Sequence, residues 1–378
     1  MAADTGEPGS FFEPISQGET RAFGRVTRRG FLGVAGATLL SLTSPLAEPA
    51  SALGCGSTSS PELTVLPEDG RGIYLRTIDA AKESIRIEIC VLEDPQILDR
   101  VEAALHRGVS VRAIVDFRKY SELAAERKHL EEYLTSAGGE LHLSNPVFPR
   151  SFPKIMLIDS DVMVYGSACL DQTTFLRYRD FATTCTDEQV LRDAQRLFEN
   201  DWTYSASLGE EPAAFNPTSP ISSRDVMIAP VNAGQQLVGL YQQATQALDV
   251  YTELLGNPTL ESELVAAAER GVLVRLIAPA RVSGGTKEVQ ERQLASLTAL
   301  SASGVNVHVN GGETVGMPYM HARAAVVDEQ KAYLGSLSLS PDSITYNREF
   351  GMIFRDEGPV RQLQQQFASD YELRTRKF

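Results

Sequence analysis

The chain has 378 residues, of which 43% are hydrophobic, and it carries a formal net charge of −14. This length is enough for two domains of ordinary size, and the apolar content is enough to bury their cores. Proteins that bind duplex nucleic acid usually show a basic stripe and a high isoelectric point, so a pI near 4.9 argues against a general nucleic-acid binder. A small positive pocket for a single phosphate is compatible with this balance.

The first fifty residues have the organisation of an export signal. Arg28 and Arg29 precede an apolar run from Gly33 to Leu42, and residues 50–52 have the small-x-small form of a signal-peptidase site. This order predicts twin-arginine (Tat) export to the periplasm or the extracellular space, the alternative being a short buried helix after a tail. The apolar run is too short to predict a membrane span. Residues 52–55 resemble a lipidation box, which would anchor the protein through Cys55.

Three further cysteines are Cys90, Cys169 and Cys185. Export makes a disulfide possible, because oxidising compartments allow disulfides to form and persist. Three thiols cannot all pair within one chain. One disulfide and isolated buried thiols are therefore both open from the sequence.

The first predicted elements alternate between helix and strand. Residues 71–82 predict a helix, and the apolar residues 85, 87, 89 and 91 share one face of a predicted strand. Asp94 and Pro95 open an amphipathic helix that ends at Gly108, and the valine-rich residues 109–112 predict a buried strand.

The same order of elements returns in a second copy. A helix is predicted over residues 234–247, and a strand is predicted to hold Leu248, Val250 and Leu254. Asn257 and Pro258 open a helix that ends at Gly271, again before a valine-rich strand. Further on, residues 152–202 align with residues 321–371 at a constant offset of 169 without a gap. A register held for this long indicates one duplicated unit.

The duplication predicts the domain organisation. We expect a signal segment over residues 1–54, a first repeat over 55–203, a linker over 204–223 and a second repeat over 224–378. The linker is rich in Ser, Pro, Ala and Glu, which is typical of a connecting segment. Since strands alternate with helices in each copy, each repeat is predicted to be an α/β unit with helices on the faces of a sheet.

One segment of the second repeat carries most of the predicted chemistry. His321 and Arg323 would point to the same face of a strand, which places an imidazole beside a fixed positive charge. A phosphate ester needs both, a group that attacks or moves protons and cations on its non-bridging oxygens. Downstream, Ser336 offers a hydroxyl, and Asn347 and Glu349 offer an amide and a carboxylate. A carboxylate on the second ring nitrogen would fix the tautomer of the imidazole and support its cationic form.

This segment and its first-repeat counterpart resemble the phospholipase D superfamily. That family carries H-x-K-x4-D, then G-[ST]-x-N, then N-x-E or R-D-F, once per repeat, and the chain reproduces the spacing in both copies over residues 62–378. The resemblance implies an α/β fold of two similar lobes, each a mixed β-sheet flanked by helices, related by a pseudo-two-fold axis. It also implies one pocket at the lobe junction, where one histidine attacks phosphorus and the other protonates the leaving group without any metal or cofactor.

The chain departs from the family pattern at several positions. Phe152 stands where the first histidine belongs, and it can neither attack phosphorus nor carry a proton. Arg323 replaces a lysine but keeps the charge and can bind phosphate in a bidentate fork. The asparagine of G-[ST]-x-N is Cys169 in the first copy and Ser338 in the second. The anion-binding half of the motif is therefore better retained than the catalytic half.

The resemblance assigns roles to individual residues. The residues expected to be catalytic are His321, Lys154, Arg323 and Glu349. Those expected to bind substrate are Ser167, Ser336, Asn347 and Asp180. The motif aspartates Asp159 and Asp328 would lie on the opposite strand face from the cations, so we expect a structural role for them. Packing roles are expected for His142, His308, Trp202 and Tyr371.

Two functions from different classes follow from this pattern. The first is an exported phosphodiesterase or phosphatidyltransferase that acts on a phospholipid or another phosphodiester. The second is a pseudoenzyme that binds phosphate-bearing ligands, which the missing histidine favours. Nuclease activity is a third option within the family, disfavoured by the acidic surface. The sequence indicates no oligomeric state. An enzyme should keep Phe152 at the edge of a polar pocket, whereas a pseudoenzyme would fill that pocket with its ring.

Overall fold

The structure of the protein, a computed structural model, describes residues 61–122, 124–207, 209–215, 221–310, 318–373 and 375–378. The predicted export signal and the lipidation box at Cys55 lie outside these residues. Among the helices of the described residues, none is long and apolar enough to cross a membrane.

The first repeat alternates strands and helices in the predicted order. Its elements are β1 (Thr64–Leu66), α1 (Gly72–Ala80), β2 (Ser84–Ile89), α2 (Pro95–His106), β3 (Ser110–Val115), α3 (Phe117–Glu122), α4 (Ala124–Ser136), β4 (Glu140–Leu143), β5 (Ser151–Phe152), β6 (Ile155–Ile158), β7 (Val162–Gly166), α5 (Gln172–Arg177), β8 (Tyr178–Cys185) and α6 (Glu188–Tyr204). The Asp94 carboxylate caps α2 by accepting hydrogen bonds from two backbone N–H groups. Val91 lies beyond β2, which ends two residues earlier than the apolar alternation suggests.

The second repeat follows the same plan. Its elements are β9 (Val226–Ala229), α7 (Ala233–Gln242), β10 (Ala247–Tyr251), α8 (Pro258–Glu269), β11 (Leu273–Pro279), α9 (Lys287–Ala302), β12 (Asn306–Asn310), β13 (Tyr319–Met320), β14 (Ala324–Val327), β15 (Lys331–Gly335), α10 (Pro341–Thr345), β16 (Arg348–Phe354), α11 (Glu357–Leu373) and β17 (Arg376–Lys377). Asn257 caps α8 as Asp94 caps α2. Leu254 was predicted on a strand and lies after the end of β10, because the chain leaves the sheet there.

Both sheets are mixed, and the orders of their seven equivalent strands correspond one to one, while β17 is an additional edge strand, antiparallel to β12, in the second sheet. The first runs β1-β8-β7-β6-β2-β3-β4 and the second runs β9-β16-β15-β14-β10-β11-β12. In each sheet the last three strands are parallel and the other neighbours are antiparallel. The predicted fold class is therefore confirmed as two similar α/β lobes, each a mixed sheet flanked by helices and related to the other by a pseudo-two-fold axis.

Each repeat contributes a two-residue strand to the sheet of the other repeat. β13 of the second repeat pairs in parallel with β8 of the first, which sets Met320 opposite Arg179. β5 of the first repeat pairs in parallel with β16 of the second, which sets Phe152 opposite Glu349. The two halves of the described chain are therefore joined by backbone hydrogen bonds that cross in both directions.

Two buried ion pairs cross between the repeats at the same junction. Arg179 on β8 pairs with Asp370 on α11, Nε to Oδ2, at 2.8 Å, and both side chains are fully buried. Arg348 on β16 pairs with Asp201 on α6 at 2.6 Å. An apolar cluster drawn from both lobes surrounds them, with Phe181, Phe198, Phe350 and Phe367 among its members. Because a buried charge without its partner is very costly, these pairs allow only one relative placement of the lobes.

The two motif aspartates stabilise turns. Asp159 accepts hydrogen bonds from the backbone N–H groups of Lys82, Glu83 and Ser84, which lead into β2. Asp328 makes the equivalent contacts with the segment that leads into β10. Burial alone would raise the pKa of Asp328, but these hydrogen bonds to the charged form lower its pKa to about 2. Both aspartates therefore stabilise the turns that lead into β2 and β10.

Breaking one crossed ion pair should destabilise the protein strongly. Asp201→Ala leaves the fully buried Arg348 charge unpaired, and we expect a loss of about 3–5 kcal/mol in the free energy of unfolding. Replacing both partners, as Arg348→Met with Asp201→Leu, should cost much less. Urea denaturation measures these changes. Glu357→Ala, which removes the exposed pair with Arg361, serves as the control. An Asp201→Ala loss as small as that of the control would contradict the role of the pair.

Candidate active site

His321 lies at the junction of the lobes and contacts a carboxylate from the first repeat. It follows β13, whose pairing with β8 brings it opposite Asp180. Its Nδ1 lies 2.7 Å from Asp180 Oδ2, and Asp180 Oδ1 accepts a hydrogen bond of 2.6 Å from the Ser167 hydroxyl. The carboxylate on the second ring nitrogen is thus that of Asp180 and not that of Glu349. Ser167 is therefore linked to His321 indirectly, through the Asp180 carboxylate that both residues contact.

The electrostatic surroundings keep the His321 ring neutral, and the expectation that a carboxylate supports its cationic form was wrong. Burial, followed by the positive charge of Arg323, lowers its pKa well below the usual value. Burial also raises the pKa of Asp180 to about 7, although Lys154 and Arg323 oppose this shift. When Asp180 is ionised, Nδ1–H donates to its carboxylate and the lone pair stays on Nε2. A guanidinium nitrogen of Arg323 lies 3.0 Å from that Nε2.

Arg323 is held by the carboxylate of Glu253, a residue that lies outside the sequence motifs. Residues 321–323 connect β13 to β14 and are not part of a strand, contrary to the prediction. The guanidinium forms an ion pair with Glu253 and donates from Nε to the Ser338 hydroxyl at 3.0 Å. Tyr319 donates to the other oxygen of Glu253 at 2.9 Å. Glu253 lies just after β10 in no recognisable motif, so only its place after a buried strand could have indicated it.

Lys154 has different surroundings from its counterpart Arg323. Its Nζ donates to the Ser167 carbonyl at 2.8 Å and to Cys169 Sγ at 2.9 Å. Cys169 is joined to Cys90 in a disulfide, so the question left open by the sequence is decided, and Cys185 is a buried free thiol. The aligned repeats place Cys90 and Cys169 where the second repeat has Glu253 and Ser338. A disulfide thus replaces the carboxylate and hydroxyl that hold Arg323.

The positive charge of Lys154 has therefore no ion-pair partner within 4 Å among the described residues. Burial, followed by the charge of Arg323, lowers its pKa to about 8. Its backbone has φ = 53°, in the left-handed region that is strained for a residue with a side chain. Two hydrogen bonds hold the ammonium group at the other end of the side chain. Lys154 is thus a fixed cation with its charge available to an anion.

Phe152 and Glu349 occupy the positions equivalent to His321 and Asp180. The Phe152 ring is half-buried and packs against the apolar core of the first repeat. Glu349 Oε1 accepts from the Asn347 amide at 3.2 Å, whereas Oε2 is buried without a hydrogen-bond partner among the described residues. Ser336 contacts the backbone of Phe350, the next residue. Burial raises the pKa of Glu349 to about 7, against the opposing charge of Arg323.

The other two histidines singled out in the sequence lie in aromatic stacks. The His142 ring lies 3.8 Å from that of Trp202, and the His308 ring lies 3.6 Å from that of Tyr371. Burial lowers the pKa of both imidazoles. These contacts attach β4 to α6 and β12 to α11. They are packing contacts, as expected.

Comparison with known proteins identifies the family. A family model described as the PLD-like domain of cardiolipin synthase matches residues 74–202 and 237–371. The chain belongs to the phospholipase D superfamily. It is similar to cardiolipin synthase 1 of Bacillus anthracis, with 21% identity over 89% of this chain and 73% of that protein. Phospholipase D Z of Dictyostelium discoideum is 30% identical over 38% of this chain and 34% of that protein.

Solved structures share the fold of this phospholipase D-like chain. Phosphatidylserine synthase of Haemophilus influenzae aligns with a TM-score of 0.66 at 14% identity, over 85% of this chain and 88% of that one. A polyphosphate kinase of Porphyromonas gingivalis aligns with a TM-score of 0.61 at 16% identity, over 84% of this chain and 48% of that one. At these identities the likeness concerns the fold alone.

The disulfide beside Lys154 should be a measurable part of the stability. Replacing both cysteines, as Cys90→Ala with Cys169→Ala, should lower the free energy of unfolding by about 2–5 kcal/mol, because the unfolded chain loses a long closed loop. Thermal denaturation with and without a reductant tests this. Reductant should lower the midpoint of the natural protein and of Cys185→Ala by the same amount. A midpoint of the double variant that still falls with reductant would contradict the assignment.

Proposed function

We propose that the protein is an exported phosphodiesterase or phosphatidyltransferase whose single active site is shared by the two repeats. The observation that carries the proposal is the hydrogen bond between His321 of the second repeat and Asp180 of the first. An imidazole oriented by a carboxylate, with its other nitrogen free of a proton, is an activated nucleophile. Lys154 and Arg323 lie close enough to lower the pKa of this imidazole by their charge.

The reaction follows from the role of each group. His321 Nε2 attacks phosphorus and forms a phosphohistidine, while the alcohol of the ester departs. Lys154 and Arg323 bind the non-bridging oxygens, whose negative charge grows in the transition state. Arg323 keeps its position through Glu253 and Ser338, and Lys154 through the Ser167 carbonyl. Water or an acceptor alcohol then attacks the phosphohistidine, and this choice decides between hydrolysis and transfer.

A phospholipid is the proposed substrate class. The chain is similar to cardiolipin synthases and to a phospholipase D, and their names specify phospholipid chemistry. The formal net charge of −14 works against a polyanion that covers a wide surface, whereas a single phosphodiester needs only the buried cations. Nuclease activity is therefore the weaker proposal.

A binding protein without turnover is the second candidate function. It is favoured by Phe152, which takes the place of one catalytic imidazole, and by the ion pair that neutralises Arg323 with Glu253. Under this alternative, phosphate esters bind at Lys154 and no phosphohistidine forms. The two candidates differ in a single observable, the appearance of product.

His321→Ala should abolish turnover of a phosphodiester, because no other imidazole is free to attack. Asp180→Asn should lower turnover by about 10²–10⁴-fold, since the ring loses the carboxylate that selects its tautomer. Product release from a phosphatidyl ester in mixed micelles measures both effects. His106→Ala, at the exposed end of α2, is the control and should keep full turnover. Turnover that survives in His321→Ala would contradict the proposal.

Phe152→His restores an imidazole at the position where the family has its first histidine, and it tests for a gain of turnover. The β5–β16 pairing would place the new imidazole opposite Glu349, as His321 is placed opposite Asp180. Turnover should rise in this variant if the natural protein is an impaired enzyme. Binding of a phosphate ester without any turnover, in the natural protein and in Phe152→His alike, would favour the binding protein.

Export by the Tat route is proposed from Arg28 and Arg29. The disulfide supports it, because disulfides persist mainly in oxidising compartments. Changing both arginines to lysine keeps the charge and should trap the precursor in the cytoplasm. Fractionation of expressing cells measures this, with Arg21→Lys as the control for a change outside the pair. Unchanged export of the double variant would argue against the Tat route.

A further inference from the structure

We propose that the buried carboxyl of Glu349 donates the proton to the leaving alcohol, in place of the imidazole that Phe152 has removed. This inference rests on the proposed function, since it assigns the second half of the same reaction. The protein then has a histidine that attacks phosphorus and a glutamic acid that donates and accepts the proton. Glu349 then acts as a catalytic group in its own right and does not orient a histidine.

The crossed strand pairing places Glu349 on the leaving-group side. Glu349 is the second-repeat equivalent of Asp180, and it faces Phe152 as Asp180 faces His321. An in-line displacement puts the nucleophile and the leaving group on opposite sides of phosphorus, and the pseudo-two-fold axis relates those two sides. A phosphorus atom attacked by His321 therefore has its leaving oxygen toward Phe152 and Glu349.

The carboxyl of Glu349 has one oxygen free for this task. Oε1 accepts a hydrogen bond from Asn347, whereas Oε2 is buried and meets no donor or acceptor at hydrogen-bonding geometry among the described residues. The hydroxyls of Ser343 and Ser336 lie near the carboxyl without bonding Oε2. In the first repeat, both oxygens of Asp180 are bonded. In the second repeat, the phenyl ring at position 152 offers no donor, and the Ser336 hydroxyl, equivalent to that of Ser167, donates to the Phe350 carbonyl instead.

The electrostatic surroundings keep this carboxyl protonated near neutral pH. Burial raises its pKa to about 7, and the opposing contributions come first from Arg323 and then from the nearby hydroxyls and the Asn347 amide. Lys154 and Tyr333 are the other titratable groups whose charge it senses. A carboxylic acid with a pKa near the working pH is well suited to donate a proton in one step and accept it back in the next.

The proposed cycle balances in atoms and protons. In the first step the N–P bond from His321 Nε2 forms, the P–O bond to the alcohol breaks, and the Glu349 proton moves to that oxygen, directly or across one water. In the second step water or an acceptor alcohol gives its proton to the Glu349 carboxylate. The new O–P bond then forms, the N–P bond breaks, and both residues return to their initial states.

Lys154 is the rival donor, because its lowered pKa would also allow proton transfer. Its ammonium already donates two hydrogen bonds, to the Ser167 carbonyl and to Cys169 Sγ. Its charge is also the one in the site that no ion pair with a described residue neutralises. We therefore assign it to the phosphate oxygens. Lys154→Arg, which keeps the charge and cannot lose a proton, should lower turnover of an alkyl and an aryl ester to the same degree.

Two esters with different leaving groups test the assignment. A phosphatidyl alkyl ester needs a proton on its leaving oxygen, whereas a phosphatidyl 4-nitrophenyl ester releases a stable phenolate. In a single turnover with enzyme in excess, Glu349→Gln should slow release of the alkyl alcohol by about 10²–10⁴-fold and leave release of 4-nitrophenolate nearly unchanged. The second step, which uses the Glu349 carboxylate as its base, is common to both esters and does not enter this first release. With the natural protein, single-turnover release of the alkyl alcohol should fall as pH rises through about 7, where the raised pKa of Glu349 lies, and this fall should be missing with the aryl ester. Asp193→Asn changes an equally buried carboxyl on α6, which accepts from the backbone of Ser222 and Ser223, and should leave the ratio of the two rates unchanged.

The outcomes separate this inference from the proposed function. Equal losses of single-turnover release from both esters in Glu349→Gln would overturn the inference and leave His321 as the nucleophile. A selective loss of alkyl-ester turnover in Lys154→Arg would overturn it in favour of the lysine. Titration of the ¹³C-labelled Glu349 carboxyl at the ordinary value for glutamate would also overturn it, independently of activity. Absence of turnover on both esters would overturn the proposed function and this inference with it.

Discussion

The two crossed ion pairs, Arg179 with Asp370 and Arg348 with Asp201, hold the rest of the site in place. Each arginine immediately precedes an acidic residue on its strand, and successive side chains of a strand point to opposite sides. Once the arginine is bound to a helix of the other repeat, the next carboxyl must face the opposite way. For Asp180 that direction leads to His321. The buried charges thus orient the carboxyl group that contacts His321, and their desolvation cost makes other arrangements of the lobes unfavourable.

The duplicated scaffold holds two halves whose chemistry has diverged. The second repeat supplies a neutral imidazole and an arginine that a carboxylate neutralises. The first supplies a lysine beside a disulfide, with a phenyl ring at the histidine position. Equivalent backbone positions therefore perform different tasks. One side of the junction is suited to attack, and the other retains a free positive charge and, across the strand pair, a carboxyl group.

Burial sets the protonation of the candidate site inside a strongly acidic protein. The formal net charge of −14 belongs to the chain as a whole, whereas Lys154 and Arg323 are both buried at the junction. In this low-dielectric setting desolvation raises the pKa of Asp180 and of Glu349 to about 7 and lowers that of His321. The two carboxyl groups, which would be fully charged in water, are thereby brought into the range where protons move at neutral pH, whereas the imidazole is kept neutral.

The sequence determined much of the fold and half of the site. The capping residues Asp94 and Pro95 and the terminating Gly108 were enough to predict the bounds of α2. The constant offset of 169 predicted two equivalent lobes. Spacing also identified His321, Lys154 and Arg323 as one group. Tertiary structure alone decided that Asp180 and not Glu349 meets the imidazole, that Glu253 neutralises Arg323, and that Cys90 pairs with Cys169. Apolar periodicity and motif spacing tell which face of an element is buried. They do not tell which distant side chain that face contacts, because the contact depends on how the sheets of the two repeats are joined.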